Sequence, residues 1–205
     1  MQRSQDQGII LHIRPYRETS AIISILSKQH GLLRGVLRGY KRSSSKQFSS
    51  VRPLSLVEFS FSGTADLKTL FNMELTRSYA RVPAMLCYSM LLVEVCHKLL
   101  PPEQEEEEVY LLLQDSLKRL DSNAVSGATQ SAQFILEFML RQGYELEKSG
   151  SSLDHLLAKS ENELLSREEE KSLLEQVQVL LRHYYPNKVI RSFNLLLSNR
   201  NEARR

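Results

Sequence analysis

The sequence lacks the short motifs that mark the common catalytic sites. It contains no G-x-S-x-G nucleophile elbow, no H-E-x-x-H metal motif, no glycine-rich loop ending in Gly-Lys-Ser/Thr and no G-x-G-x-x-G. Its five histidines are scattered, and neither a C-x-x-C nor a close histidine pair offers a metal site. We therefore expect a protein that is not an enzyme and that uses neither a cofactor nor a metal ion.

Cysteine is scarce, since only Cys87 and Cys96 occur, nine residues apart in one apolar segment. On a helix this spacing is two and a half turns, which places the two side chains on opposite faces and too far apart for a disulfide. Free thiols are typical of a reducing compartment. The N-terminal MQRSQDQG lacks the apolar core of a signal peptide, and the most apolar run contains Glu94 and Lys98. We therefore expect a cytoplasmic protein without a transmembrane segment.

Charge is distributed unequally along the chain, although the net charge of the 205 residues is only +3. Residues 1–81 hold 13 Lys and Arg against 5 Asp and Glu, a net charge of +8. Residues 82–205 hold 14 against 19, a net charge of −5. This asymmetry predicts two units, the first of which faces a polyanion.

The N-terminal part has the pattern of a small β-barrel. Five segments have the composition and alternation of strands: GIILHIRPY, AIISILSKQ, LLRGVLRGYK, LSLVEFSFS and LKTLFNMEL. In the first segment, Ile9, Leu11 and Ile13 alternate with a second set of side chains that includes Arg14. This two-residue period is that of a strand with one buried face. Five short strands punctuated by glycine predict an OB-fold, a five-stranded barrel, over residues 1–80.

After Pro83 the apolar residues recur at helical spacing, so residues 81–205 are predicted to form an all-helical domain and the fold class is α+β. The predicted helices are Ala84–Leu100, Gln104–Leu120, Thr129–Gln142, a segment that begins at the capping box Ser166–Glu169 and includes Leu173 and Tyr184, and a last segment from Val189 to Leu197. The second helix opens with four glutamates, Glu105 to Glu108. They either complement the helix dipole or offer a docking patch for a basic partner.

A basic segment, RGYKRSSSK at residues 38–46, holds four cations and one aromatic residue without an acid. Written as a strand, LLRGVLRGYK has two faces: one with Leu32, Arg34, Val36, Arg38 and Tyr40, the other with Leu33, Gly35, Leu37 and Gly39. The same alternation in LKTLFNMEL points Phe71 one way and Lys68 the other. One face of the barrel is therefore predicted to carry a row of cations that ends in an aromatic ring.

Such a face is suited to single-stranded nucleic acid. Cations neutralise phosphates, and a ring stacks on any base, so the binding is independent of sequence and strongly dependent on salt. The candidate DNA-binding residues are Arg34, Arg38, Lys41, Arg42 and Lys46 for phosphates, Tyr40 for stacking, and Arg14, Arg17 and Lys68 as an extension of the track. The alternative is a solvated loop that is basic without a partner.

Several segments in the same order resemble the RecO family of bacterial DNA repair proteins. The resemblance lies in GIILHIRPYRETSAIISILSKQHGLLRGVLRGYKR, LSLVEFSFSG, LKTLFNMEL and FILEFMLRQGYELE. It includes the Arg-Pro-Tyr-Arg-Glu run at 14–18, Gly31, and Arg38-Gly39 followed by cations. The resemblance implies an OB-fold followed by helices. It also implies a recombination mediator that binds single- and double-stranded DNA, anneals complementary strands and, usually with RecR, helps RecA onto DNA covered by single-strand-binding protein (SSB).

Two further expectations come from the resemblance. Many relatives carry four cysteines as a zinc site after the Gly-Tyr that corresponds to Gly143-Tyr144, whereas ELEKSGSSLDHLLAKSENELL has none, so a zinc-free branch is expected. Family members contact the acidic, apolar-ended tail of SSB through the helical domain, and Arg119, Arg141 and Lys148 are candidates for its basic rim. Two alternatives stay open: an RNA- or ribosome-binding OB-fold protein, and an adaptor that acts through its helical domain.

Overall fold

Five strands close into a barrel in the N-terminal part: β1 (Arg3–Tyr16), β2 (Ser20–Ser27), β3 (Gly31–Leu37), β4 (Ser55–Ser62) and β5 (Leu67–Ser78). They are seen in a computed structural model, which describes residues 3–40, 51–123, 125–145, 152–162 and 164–202. The strand order is β1-β2-β3-β5-β4, and β4 pairs back onto β1. β3 and β5 run parallel, and the other neighbours run antiparallel. The predicted five-stranded OB-fold barrel is confirmed.

Strand β1 buries both of its faces at Ile9, Ile10 and Leu11, so the prediction of one buried face is wrong for this stretch. Ile10 lies in the barrel interior, whereas Ile9 and Leu11 pack in the core that the barrel shares with the helices. The register with β2 shifts between Ile10 and His12, which marks a β-bulge. Beyond it His12 and Arg14 are exposed.

In the part of the chain that the structure describes, six helices follow a short 3-10 turn at Pro83–Met85: α1 (Leu86–Leu99), α2 (Glu107–Asp121), α3 (Gly127–Arg141), α4 (Ser152–Asn162), α5 (Arg167–Tyr184) and α6 (Arg191–Glu202). The capping box of α5 is confirmed, since the Ser166 hydroxyl accepts from the Glu169 backbone N–H at 3.3 Å and the Glu169 carboxylate accepts from the Ser166 backbone N–H at 2.9 Å. Helix α4 was not predicted, although Leu153, Leu156 and Leu157 follow helical spacing there. Among the described ranges, no helix has both the length and the apolar composition needed to cross a membrane.

The helices are fixed to the barrel by a continuous apolar core and by a buried carboxylate. Leu26, Leu32 and Leu56 of the barrel pack in one cluster with side chains of the helices. The Asp121 side chain, at the end of α2, is 0% exposed. It accepts hydrogen bonds from the Arg81 backbone N–H at 3.1 Å and from Arg81 Nε at 2.8 Å. This contact ties the connection between β5 and α1 to the far end of α2.

Candidate nucleic-acid interface

The outer surface of β1, β2 and β3 carries three of the predicted phosphate-binding residues. The register places His12, Ser24 and Arg34 side by side across the three strands. Arg14 follows two residues further along β1, and Arg38 lies just beyond the end of β3. All three arginines are exposed. They share this side because alternate strand residues point outward, while the residues between them fill the barrel. We call Arg14, Arg34 and Arg38 the arginine face.

The arginine face is not neutralised by acids of the described part of the chain. None of its three guanidinium groups forms an ion pair with a described carboxylate. A phosphate can therefore bind there without first breaking an internal ion pair, and guanidinium groups bind phosphate in a bidentate geometry. Arg17 lies next to this face in the turn between β1 and β2, with its guanidinium carbon 5.2 Å from the centroid of the Tyr16 ring.

Tyr40 does not share the exposed side of Arg34 and Arg38, so that prediction is wrong. Strand β3 ends at Leu37, and Gly39 has a φ of +75° in the turn that follows, so the alternation does not extend to residue 40. The Tyr40 ring packs against the barrel interior. Its hydroxyl donates to the Val51 carbonyl oxygen at 3.2 Å, which holds the ring in this position.

Lys68 is buried, so the prediction that it extends the exposed track is also wrong. The inward residues of β5 are Lys68, Leu70 and Met73, because a left-handed residue at Asn72 (φ +49°) shifts the alternation between the last two. Lys68 is 5% exposed, and its Nζ lies 2.9 Å from Oε2 of Glu103, in the segment that leads into α2. A buried lysine needs such a partner, and this one is therefore structural.

Four other candidates lie outside the described residues. They are Lys41, Arg42 and Lys46 in the basic segment and Lys148 after α3. Their proposed roles stay predictions.

Two histidines that are distant in sequence form a stacked pair beside the arginine face. The rings of His12 and His97 are 4.7 Å apart at an angle of 14°, and His97 Nε2 lies 3.2 Å from the Ser24 hydroxyl. Burial lowers the pKa of His97 to about 4, reinforced by His12 when that ring is protonated and by the positive charge of Arg34 and Lys98. Burial and neighbouring cations lower the pKa of His12 as well. Both rings are therefore neutral near pH 7. The sequence held no signal for this contact, because 84 residues separate the two histidines.

The predicted rim residues Arg119 and Arg141 are engaged with acids on the helices. Arg119 Nε lies 2.8 Å from Oδ2 of Asp115. Arg141 pairs with Glu137 and lies 3.6 Å from Oε2 of Glu108. Arg141 also lines a polar cleft with the glutamates at the start of α2, an environment that repels an acidic peptide.

An apolar cleft with a basic edge lies elsewhere, between α1, α5 and α6. Its volume is about 300 Å³. Leu99, Leu181 and Phe193 contribute to its apolar lining, and Arg182 and Lys188 are the two cations that line it. Both cations are exposed. Sequence reasoning missed both cations. Arg182 lies in the last turn of α5, shortly before Pro186, and Lys188 follows that proline. We call this site the α1–α5–α6 cleft.

The barrel that carries the arginine face matches a known family. Residues 1–79 match the model described as "Recombination protein O N terminal". The chain is 32% identical over 121 residues to the "DNA repair protein RecO" of Pseudoalteromonas atlantica, a match that covers 58% of this chain and 50% of that protein. It is 31% identical over 119 residues to the RecO of Moorella thermoacetica, covering 57% of this chain and 45% of that protein. With the RecO of Cutibacterium acnes the identity is 28% over 156 residues, 73% of this chain and 62% of that protein.

The chain thus spans about half the length of the first two relatives. The family model covers the barrel with its exposed arginines. The family match agrees with the strand order and with the resemblance of the sequence segments. The chain is thus similar to RecO proteins, and the family model locates this similarity in its N-terminal barrel.

Proposed function

We propose that this protein is a cytoplasmic DNA repair protein that binds single-stranded DNA on its arginine face and anneals complementary strands. The proposal depends on one observation above all: Arg14, Arg34 and Arg38 are exposed on one side of the barrel without an ion-pair partner among the described residues. The names of the relatives, which are DNA repair proteins, support the choice of DNA as the polyanion.

Annealing follows from the chemistry of such a face. Two complementary strands repel each other through their phosphates, and guanidinium groups that bind phosphates reduce that repulsion. Backbone contacts carry no sequence information, so the base edges stay available for pairing. No catalytic step and no cofactor is required. In this proposal the protein is a mediator that helps RecA onto SSB-covered DNA together with RecR, and it also binds double-stranded DNA through the phosphates.

The α1–α5–α6 cleft is the site proposed for the SSB tail. An acidic peptide with an apolar end needs an apolar cleft beside cations, and this cleft combines Phe193 and Leu181 with Arg182 and Lys188. Arg141 is a poor alternative, because glutamates surround it.

The DNA-binding proposal is tested by fluorescence anisotropy of labelled single-stranded DNA over a salt series. The wild type is compared with Arg14→Ala/Arg34→Ala/Arg38→Ala. Each lost phosphate contact lowers the slope of log K against log salt by about 0.7, so the triple variant should be flatter by about 2. The matched control, Lys118→Ala/Arg119→Ala/Lys171→Ala, removes the same charge from the helical part and should keep the wild-type slope.

Equal slopes for all three proteins would contradict the arginine face as the DNA site. Preference for structured RNA over single-stranded DNA in competition would favour the RNA-binding alternative. If the wild type binds neither, the adaptor alternative takes its place. Annealing itself is measured by the joining of two labelled complementary oligonucleotides, which the triple variant should slow and the control should not.

The SSB proposal is tested by binding of a labelled peptide with the C-terminal sequence of the cognate SSB. Arg182→Glu/Lys188→Glu should abolish binding, whereas Arg119→Glu/Arg141→Glu should leave it unchanged. The reverse pattern would place the tail at the rim predicted from sequence.

A further inference from the structure

Phe71 is an aromatic side chain on the outer surface of the barrel. Of the six phenylalanines in the described part of the chain, it alone is not buried. Its alternate neighbours on β5, Leu67 and Thr69, are exposed on the same side. The guanidinium carbon of Arg3 lies 5.5 Å from the centroid of the Phe71 ring. The barrel therefore presents an aromatic ring with a cation against it.

This ring adjoins the arginine face. The last pair between the parallel strands β3 and β5 is Leu37 with Leu70. Arg38 follows Leu37 and Phe71 follows Leu70, so we infer from this register, extended by one residue, that Arg38 and Phe71 are neighbours. Phe71 thus lies between two arginines, Arg38 on the β3 side and Arg3 on the side of β4 and β1.

A second ring lies on the other side of Arg38. Tyr16 ends β1, pairs with Ser20 of β2 and is half-buried, with Arg17 against its ring. From β1 to β5 the surface crosses β2 and β3, three steps between strands of about 4.8 Å each, or roughly 14 Å in total. The outer surface therefore has two aromatic rings, each with its own arginine, and Arg38 between them.

We propose that Phe71 and Tyr16 are the base-stacking residues of the single-stranded DNA site. Arg3, Arg38 and Arg17 bind the adjacent phosphates, so the DNA strand crosses the barrel from β1 over β3 to β5. A ring stacks on every base, and an arginine that rests on a ring in the free protein can stack with a base or turn to a phosphate. This inference rests on the function proposed above. It identifies the rings that stack on bases and the path of the DNA strand across the barrel.

The structure distinguishes these rings from Tyr40, the stacking residue predicted from sequence. Tyr40 packs against the barrel interior and is held by Val51. Phe71 and Tyr16 point outward from their strands, and their sequence neighbours Leu70 and Pro15 do not share that side of the barrel.

The absence of tryptophan from the chain makes stacking directly measurable, because one introduced tryptophan is the only indole emitter. Phe71→Trp is titrated with oligothymidine at low salt, and stacking on a thymine should quench its emission. The matched control is Leu140→Trp, since Leu140 is 53% exposed on α3, near the polar cleft lined by glutamates. Its emission should not change.

The affinity of leucine variants provides the second measurement. Phe71→Leu and Tyr16→Leu should each weaken binding of oligothymidine by about 5- to 150-fold, the loss expected for one stacked base. Their slope of log K against log salt should equal that of the wild type, because no phosphate contact is lost. Thermal melts of all variants establish that they are folded.

The outcomes separate this inference from the proposed function. If the wild type binds with the expected salt slope but Phe71→Trp is not quenched and both leucine variants bind like the wild type, the stacking assignment is wrong and the arginine face stands. If Tyr40→Leu, once shown to be folded, loses affinity and the other two do not, the stacking ring is Tyr40 and this inference is again wrong. If the wild type does not bind, both proposals fail.

Discussion

Replacing Asp121 with asparagine removes one buried charge and keeps the shape of the side chain, so it should measure what the charge contributes to the free energy of unfolding. The carboxylate is fully buried, and it accepts from Arg81 through the backbone N–H and the guanidinium, while Arg77 lies 3.5 Å away. A hydrogen bond to a charged group contributes about 1.5–3 kcal/mol. The full cost of breaking a buried ion pair, about 3–5 kcal/mol, should not be reached, because both arginines can turn to water. We expect Asp121→Asn to lower the free energy of unfolding by about 2 kcal/mol at pH 7.

The effect should depend on pH in a defined direction. Burial alone would raise the pKa of Asp121, but the hydrogen bonds and charge of Arg81, with a contribution from Arg77, outweigh it and hold the pKa below its ordinary value. A carboxyl group with a lowered pKa stabilises the fold above its unfolded pKa of about 3.9, and that stabilisation is lost as the pH falls through the folded value. The difference between the wild type and Asp121→Asn should therefore be complete at pH 6–7 and shrink below about pH 4.

Urea denaturation followed by circular dichroism measures both effects. The control is Asp115→Asn on the same helix, whose carboxylate is 59% exposed in its pair with Arg119. Exposed pairs contribute little, so we expect a change of no more than about 0.5 kcal/mol. If the two variants lose equal stability, or if the loss in Asp121→Asn is as large at pH 3 as at pH 7, the reasoning from the buried charge is refuted.

Three further changes test local features of the fold. Ser166→Ala should lower the free energy of unfolding by about 1 kcal/mol through loss of the α5 cap, and an unchanged thermal melt would contradict the cap. Gly127→Ala places a methyl group 2.2 Å from the Tyr88 ring and should cost about 1–3 kcal/mol in urea denaturation, and Tyr88→Leu in the same chain should restore part of the loss. Because the pKa of His97 is about 4 in the fold and 6.5 outside it, the unfolded chain binds the proton more tightly and stability should fall as the pH drops from 6.5 to 4. His97→Gln should remove about 1–2 kcal/mol of this dependence, after allowance for solvent screening, and an unchanged pH profile would contradict it.

The barrel and most helices could be predicted because they follow from local patterns. Alternation and glycine turns are properties of neighbouring residues, and the capping box at Ser166 lies within four residues. The orientation of β5 could not be predicted in this way. Alternation predicts that Leu67, Thr69, Phe71, Met73 and Leu75 share one face. The left-handed residue at Asn72 changes the phase of this alternation, and the observed inward set is Lys68, Leu70 and Met73.

The position of an interface residue could be predicted where it depends on the residue's own polarity. It could not be predicted where it depends on a partner that is distant in the sequence. Arg14, Arg34 and Arg38 are exposed because charged side chains are rarely buried without a partner. Lys68 is the exception, and its partner Glu103 is 35 residues away. Alternation predicts only that Phe71 points away from Lys68, and the pairing of β5 with β3 is needed to infer that Phe71 adjoins Arg38.

The excess of cations in the N-terminal part has two roles, and only one of them is to bind a polyanion. Several cations of the basic N-terminal part pair with acids of the acidic C-terminal part: Lys28 with Glu107, Lys68 with Glu103, and Arg77 and Arg81 with Asp121. Part of the net charge of +8 therefore holds the helices on the barrel, whereas the three arginines of the arginine face have no ion-pair partner among the described residues. The two groups also differ in their response to salt. The pairs that contain a buried member, Lys68 or Asp121, are screened weakly, whereas phosphate binding at an exposed face depends steeply on salt. A salt series up to moderate concentration should consequently report on the arginine face while the contact between barrel and helices stays intact.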